Sequence, residues 1–328
     1  MSSLIKYLSG LVVALLLMIA VLLGAFWAPD QPPEVLAERW AQPPSSFVII
    51  DGMPVHYRDQ GPRDAERTVL LLHGTSASLH TWEGWVAELE EDYRVVSLDL
   101  PGFGMTGPFV NHNDYSIGAY TTFMAEAMDA LEIEQAVIAG NSFGGEVAWE
   151  TALALPERVS ALILVDAAGY PIESASMPLG FRIAQIPALS SVMNRVLPRS
   201  VIESSVRNVY GDPDLVTDEL VDRYYDLTLR EGNRAALSAR FSHVEWRNES
   251  GERLATITQP TLVIWGAQDR LIPPENGHRF VQDMPNAELV MFETLGHVPQ
   301  EEDPQATVRA AKGFLGSLDR AVPEEVRE

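Results

Sequence analysis

The sequence predicts an α/β protein built on an eight-stranded, mostly parallel sheet flanked by helices, with an inserted helical cap and an N-terminal transmembrane helix. Three observations predict it. From about residue 47, short apolar runs alternate with helix-length amphipathic segments, the pattern of strands joined by helical crossovers. That alternation stops at about residue 170 and resumes at Pro260. Ahead of it all lies a long uncharged apolar stretch.

That stretch, residues 7–29, has LVVALLLMIAVLL at its centre, between Lys6 and Asp30. About 20 residues span a bilayer, whereas a signal-peptide core is about 7–15 residues followed by a small-x-small site. Phe26 and Trp27 stand where such a site requires small side chains, and aromatics suit the interface of a retained anchor. The expectation is therefore an uncleaved anchor over residues 1–30, with a cleaved signal as the alternative. Lys6 marks the more positive flank, which puts the remainder of the chain outside the cytoplasm.

Residues 31–46, rich in Pro and Ala, read as a tether. Strands are expected at 47–50, 55–58, 68–73, 94–99, 136–140, 161–166, 261–266 and 288–292. The core then comprises residues 47–169 and 249–320, with a tail at 321–328. Residues 170–248, punctuated by Pro171, Pro178, Pro187, Pro198 and Pro213, form the helical cap inserted between the two parts.

Composition narrows the chemistry. With 46 Asp and Glu against 23 Lys and Arg, the formal net charge is −23 and repels phosphate backbones, so no nucleic-acid partner is expected. The chain has no cysteine, which excludes disulfides and thiolate nucleophiles. No motif calls for a metal or an organic cofactor.

The strongest local motif is AVIAGNSFGGEVAWETALA, a buried strand, a turn and a helix, with Ser142 at the turn. A sharp turn exposes the serine hydroxyl, and it brings strand and helix so close that Gly140 and Gly144 are required. A serine needs a base, and His297 lies on the loop after the last strand in ELVMFETLGHVPQEEDP. The base needs an orienting acid: Asp269, after the strand TLVIWG, is the first choice and Asp166, ending ALILVD, is its rival. Two backbone N–H groups would hold the oxyanion, that of Phe143 and that of Thr75 in LLLHGTSAS. His73 and Gly74 shape that loop, and the glycines of DLPGFGMTG read as turn residues. From the cap, Phe181, Arg182 and Met193 are the candidate substrate-binding residues. An apolar wall with flexible methionines favours apolar acyl or alkyl groups, while Arg182 would meet a substrate carboxylate or a cap glutamate.

HGTSASLHTW, DLPGFG, GNSFGG, WGAQDRLIP and GHVPQEEDP, in this order, resemble the α/β-hydrolase superfamily over nearly all of residues 47–318. The resemblance is to bacterial esterases and lipases with a GNSFGG-type elbow and, less closely, to C–C bond hydrolases that open meta-cleavage products. It implies a serine hydrolase working through an acyl-enzyme on a small-molecule ester, with the bilayer as partner of the N-terminal helix. Haloalkane dehalogenases and epoxide hydrolases carry aspartate where this chain has Ser142. The C–C branch is typified by Gly-Pro-Gly after the strand-end histidine and by Trp after the catalytic histidine. Here His73 is followed by Gly-Thr-Ser and His297 by Val298. A silent binding protein on the same fold is the alternative from another functional class.

Overall fold

The computed structural model describes residues 2–171, 176–186, 195–243 and 250–320. Helix α1 (Ser2–Ala25) and helix α2 (Pro33–Trp40) precede strands β1 (Ser46–Ile50), β2 (Met53–Gln60) and β3 (Thr68–Leu72). There follow α3 (Glu83–Leu89), β4 (Arg94–Leu98), α4 (Ile117–Ala130), β5 (Ala136–Asn141), α5 (Phe143–Ala154) and β6 (Val159–Val165). After β6 come α6 (Leu179–Ala184), α7 (Arg199–Val209), α8 (Asp218–Leu229), α9 (Asn233–Ser242) and α10 (Ser250–Leu254). The chain then returns through β7 (Thr261–Gly266), α11 (Glu275–Asp283), β8 (Ala287–Phe292), α12 (Pro299–Glu302) and α13 (Pro304–Arg320).

All eight expected strands form, within two residues or so of their expected ends, and make one sheet in the order β1-β2-β4-β3-β5-β6-β7-β8. The pairs β1/β2 and β2/β4 are antiparallel; the remaining five are parallel. The central strands are apolar without alternation because both sheet faces are covered. Leu70 and Leu72 of β3, with Leu162 and Leu164 of β6, face the layer that holds Tyr120, Phe123 and Trp149. Val69, Leu71, Ile163 and Val165 face the opposite layer, with Trp82, Trp85, Phe314 and Leu315. Parallel strands point their carboxyl ends to one edge, and Ser142, Asp166, Asp269 and His297 all follow strand ends there.

The stretch read as a tether is more than a spacer, because Pro32 and Pro33 pre-set the backbone for a helical start and α2 follows. Leu36 and Trp40 pack with Met105 and Leu227, and the Trp40 indole donates to Asp226 (3.0 Å). Just past α1, residues 26–28 pair with 195–197: Ala28 N–H donates to Arg195 O (2.8 Å) and Leu197 N–H to Phe26 O (3.1 Å). Within α1, Tyr7–Ala25 is long and apolar enough to cross a membrane.

Candidate active site

Ser142 stands between β5 and α5 with φ 55° and ψ −118°. For a residue with a Cβ, such a conformation costs about 1–3 kcal/mol and persists only where neighbours enforce it. Here they do. Ser142 N–H donates to Val165 O (3.0 Å), and its carbonyl accepts from Glu146 N (3.2 Å) and Ala168 N (2.9 Å). A Cβ on Gly140 would lie 2.2 Å from Gly144 O, and one on Gly144 would lie 2.3 Å from Leu72 O. The turn therefore tolerates no side chain at either glycine.

The loop after β7 carries Asp269, and the loop after β8 carries His297. The two meet in a buried hydrogen bond, 2.6 Å between His297 Nδ1 and Asp269 Oδ2. The other Asp269 oxygen accepts from Leu271 N (2.8 Å) and Ile272 N (3.0 Å), which fixes the carboxylate plane. His297 N–H donates to Val209 O at the end of α7 (2.7 Å). Asn141, which the sequence reading passed over, bridges the two halves of the site. Its side-chain amide donates to His297 O (2.9 Å) and Val165 O (3.1 Å), so the residue before the serine holds the histidine loop. Its place in the GNS string is the signal that could have found it. Glu302 supports the same loop by accepting from Gly296 N (2.7 Å) and Gly211 N (2.8 Å).

Asp166, the rival acid, lies beside the pair without bonding to the imidazole. Ligating atoms of Asp166, Asp269 and His297 fall within 4.8 Å of one another. Asp269 already accepts three N–H donors, so its oxygens are committed to hydrogen bonds.

Thr75 follows β3 and lines the cavity around Ser142, as does Phe143 at the start of α5. Below this loop runs a buried polar network. Asp99 accepts from Leu79 N and Met105 N (both 2.7 Å) and pairs with His56 Nδ1 (2.7 Å), while His73 Nε2 accepts from Leu100 N (3.0 Å). Burial alone would raise the Asp99 carboxyl; the His56 charge and hydrogen bond, with His73 and His80 nearby, hold it well below the usual carboxylate range. Asp99 thus ties together the two loops that follow β3 and β4.

His80 joins this network to α2, with Nδ1 3.0 Å from Ser78 Oγ and Nε2 2.9 Å from Trp40 O. Burial, only partly offset by Asp99, lowers its titration from 6.5 to about 3. The unfolded chain therefore binds this proton at a higher pH than the folded chain does. The stability that the neutral ring contributes is present above pH 6.5 and is lost as pH falls towards 3. His80→Gln is expected to flatten the decline of Tm between pH 6.5 and pH 4 relative to wild type, as measured by circular dichroism melts.

Two cavities meet at Ser142, Thr75, Phe181 and Leu271. The first, about 310 Å³, is edged by charged groups: Arg240, paired with Glu146 (3.2 Å), and Arg253, paired with Glu150. The Arg240 guanidinium also stacks 4.1 Å from the Phe143 ring centroid, a contact that only the fold reveals. The second, about 110 Å³, includes His297 and is walled by Phe181, Ala184, Leu197, Ile202, Val206 and Leu237. Of the three cap residues expected to touch substrate, Phe181 lines both cavities. Arg182, one step round α6, points away: it is exposed and lines neither, because adjacent helical positions face about 100° apart. Met193 lies outside the described residues. Met177 lines the larger cavity instead.

Comparison with known proteins places this geometry. The chain is 33% identical over 288 residues to a 2-hydroxy-6-oxononadienedioate/2-hydroxy-6-oxononatrienedioate hydrolase of Cupriavidus pinatubonensis, covering 83% of this chain and 96% of that protein. Its fold superposes on a meta-cleavage product hydrolase from Pseudomonas fluorescens with TM-score 0.72 and 28% identity, over 83% of this chain and 98% of the other. It also superposes on a membrane phospholipase A with TM-score 0.70 and 25% identity, over 96% of this chain and 99% of the other. The family model for the alpha/beta hydrolase fold matches residues 67–304, well over half of the chain. With that match, an eight-stranded sheet of this order and a relative one-third identical over most of its length, the chain belongs to the α/β-hydrolase family and is a hydrolase.

Proposed function

We propose that the chain is a membrane-held serine esterase that takes the acyl chain of its substrate into the apolar cavity beside Ser142. The observation that carries this reading is the Asp269–His297 hydrogen bond (2.6 Å) on the wall of a cavity that also contains Ser142. Ser142 Oγ attacks the ester carbonyl and passes its proton to His297, whose imidazolium Asp269 stabilises. The N–H groups of Phe143 and Thr75 take the oxyanion. His297 then protonates the departing alcohol, and a water that gives its proton to His297 releases the acid from the acyl-serine.

The substrate follows from the two cavities. The apolar one suits an acyl chain, and the charged one suits a polar alcohol portion. The described residues 176–186 and 195–243 act as the cap over both, with Met177, Phe181, Leu197 and Arg240 among their walls. The far wall of the apolar cavity, Leu197 and Ile202, packs on Ala28, one turn beyond the end of α1. Asp30, two residues on, pairs with Arg234 of the same cavity. With α1 in a bilayer as an uncleaved anchor and the catalytic part outside the cytoplasm, the acyl cavity lies next to the membrane surface, where lipid esters are found. The match to a membrane phospholipase A over 96% of this chain supports the same reading.

Along a series of p-nitrophenyl esters, kcat/KM is expected to rise from two to about eight acyl carbons, each methylene contributing up to about 0.8 kcal/mol. Leu197→Trp, which fills the apolar cavity, should lower the eight-carbon rate about tenfold or more and leave the two-carbon rate unchanged. A second reading is a C–C hydrolase, favoured by the relative of that class at 33% identity. A flat ester series together with rapid cleavage of a vinylogous diketone acid would move the assignment there. Arg240, which lines the larger cavity, would then be the first cation to replace, in place of the exposed Arg182.

A further inference from the structure

Asp166 is a buried ionisable group for which the reaction above has no use. It follows β6 directly, with φ 43°, and is fully buried. Its N–H donates to Ile264 O (2.9 Å), and its Oδ1 accepts from Gly266 N (3.0 Å). Its Oδ2 is buried and receives no N–H or O–H. The neighbouring acid is furnished very differently. Asp269 accepts three donors, two backbone N–H groups and the His297 ring.

Two carboxylates this close and this dry do not both ionise. The charge settles where the donors are, and the proton settles on the acid that has fewer. That gives Asp269 the charge and puts the proton on Asp166, where it also resolves the orphaned Oδ2. A carboxylic acid has an O–H to give, and the Asp269 carboxylate is the neighbouring acceptor, with an oxygen within 4.8 Å of an Asp166 oxygen.

We propose that Asp166 is a positioning residue, kept as a neutral acid that donates a hydrogen bond from Oδ2 to the Asp269 carboxylate and so sets the strength of the Asp269–His297 pair. The inference rests on the reading of Ser142, His297 and Asp269 given above. Burial, and after it the Asp269 charge, pushes the Asp166 carboxyl well above the usual carboxylate range, in the same direction. The other groups facing the pair among the described residues are His297 itself, Glu302 from α12, whose carboxylate is held by Gly296 N and Gly211 N, and Arg270, whose guanidinium is turned to Tyr210 O (2.7 Å). Removing the Asp166 donor would concentrate charge on Asp269 and favour the imidazolium, so the base form of His297 would be reached only at higher pH.

The test uses the full-length chain carrying Asp166→Asn, Asp166→Ala or Asp269→Asn, with kcat/KM for p-nitrophenyl butyrate measured against pH and Ser142 labelled by a fluorophosphonate. The Asn amide keeps a donor in place of the acid O–H. Asp166→Asn is therefore expected to stay within about threefold of wild type with an unmoved acid limb. Asp166→Ala should lose about tenfold in kcat at constant KM, and its acid limb should move up by about half a pH unit or more. If Asp166→Asn falls as far as Asp269→Asn, Asp166 carries charge and the proposal is overturned. An Asp166→Ala profile that overlies wild type overturns it as well. Should the Ala variant fail to fold, the isosteric Asn variant alone decides between a neutral and an ionised Asp166. Failure of wild type to label at Ser142 sinks the hydrolytic reading itself, which separates that outcome from a failure confined to Asp166.

Discussion

Ser142→Ala is expected to lower kcat for ester hydrolysis by roughly 10⁴–10⁶ while leaving the fold intact. The side chain occupies a turn that backbone hydrogen bonds already hold, so removing one oxygen deletes the nucleophile and little else. His297→Ala should cost about as much, and the double variant hardly more, because a nucleophile without its base and a base without its nucleophile are equally idle. Asp269→Asn should cost roughly 10³–10⁴: the backbone N–H groups of Leu271 and Ile272 hold the amide oxygen, so the amide NH2 faces Nδ1, which must then accept, and the ring is left in the wrong tautomer. Circular dichroism would verify the folds, and stopped-flow release of p-nitrophenol would resolve acylation from deacylation. An Asp269→Asn variant at wild-type rates would remove Asp269 from the mechanism.

Gly144→Val is expected to have the largest effect among changes that touch no reacting atom. The new Cβ would sit 2.3 Å from Leu72 O and 2.6 Å from His73 O, both backbone atoms of β3 and the loop beyond it. Neither can swing aside as a side chain would. Either α5 lifts away from the sheet, which displaces Phe143 N–H, or β3 shifts, which displaces Thr75. Both movements pull apart the two N–H groups assigned to the oxyanion. Overpacking of this kind costs about 3 kcal/mol. In a chain of this length that corresponds to a fall in Tm of roughly 6–12 °C. Activity should drop below that of Gly313→Ala, a control on the exposed face of α13 where the added methyl meets nothing within 4 Å. A Gly144→Val protein with unchanged Tm and turnover would show that the close approach at the elbow is not required.

The elements were legible because each depends on local pattern. Apolar runs such as TVLLL and ALILV mark strands covered on both faces, and all eight formed where expected. The elbow was legible for the same reason, since Gly140, Ser142 and Gly144 answer a steric demand within five residues of chain. Residues 31–46 were misread as a mere tether because Pro and Ala content describes a chain without partners, whereas α2 is held by Leu227 and Asp226 from nearly two hundred residues away. Arg182 was misjudged because its helix face is set by packing that the sequence does not display.

The sequence by itself determined the fold class and the chemical types available at the strand ends: a serine on a strained turn, a histidine after the last strand, and two aspartates that could each serve as its acid. Only the tertiary structure shows which of the two meets the ring: Asp269 Oδ2 lies 2.6 Å from His297 Nδ1. Three N–H donors converge on Asp269 and one on Asp166. It also brought Asn141 to the histidine loop, Arg240 over Phe143, and residues 26–28 to the wall of the apolar cavity. Local sequence encodes conformation over a few residues through sterics and burial. Protonation, orientation and the shape of a cavity are set by groups that meet from distant parts of the chain, and those meetings exist only once the sheet has assembled.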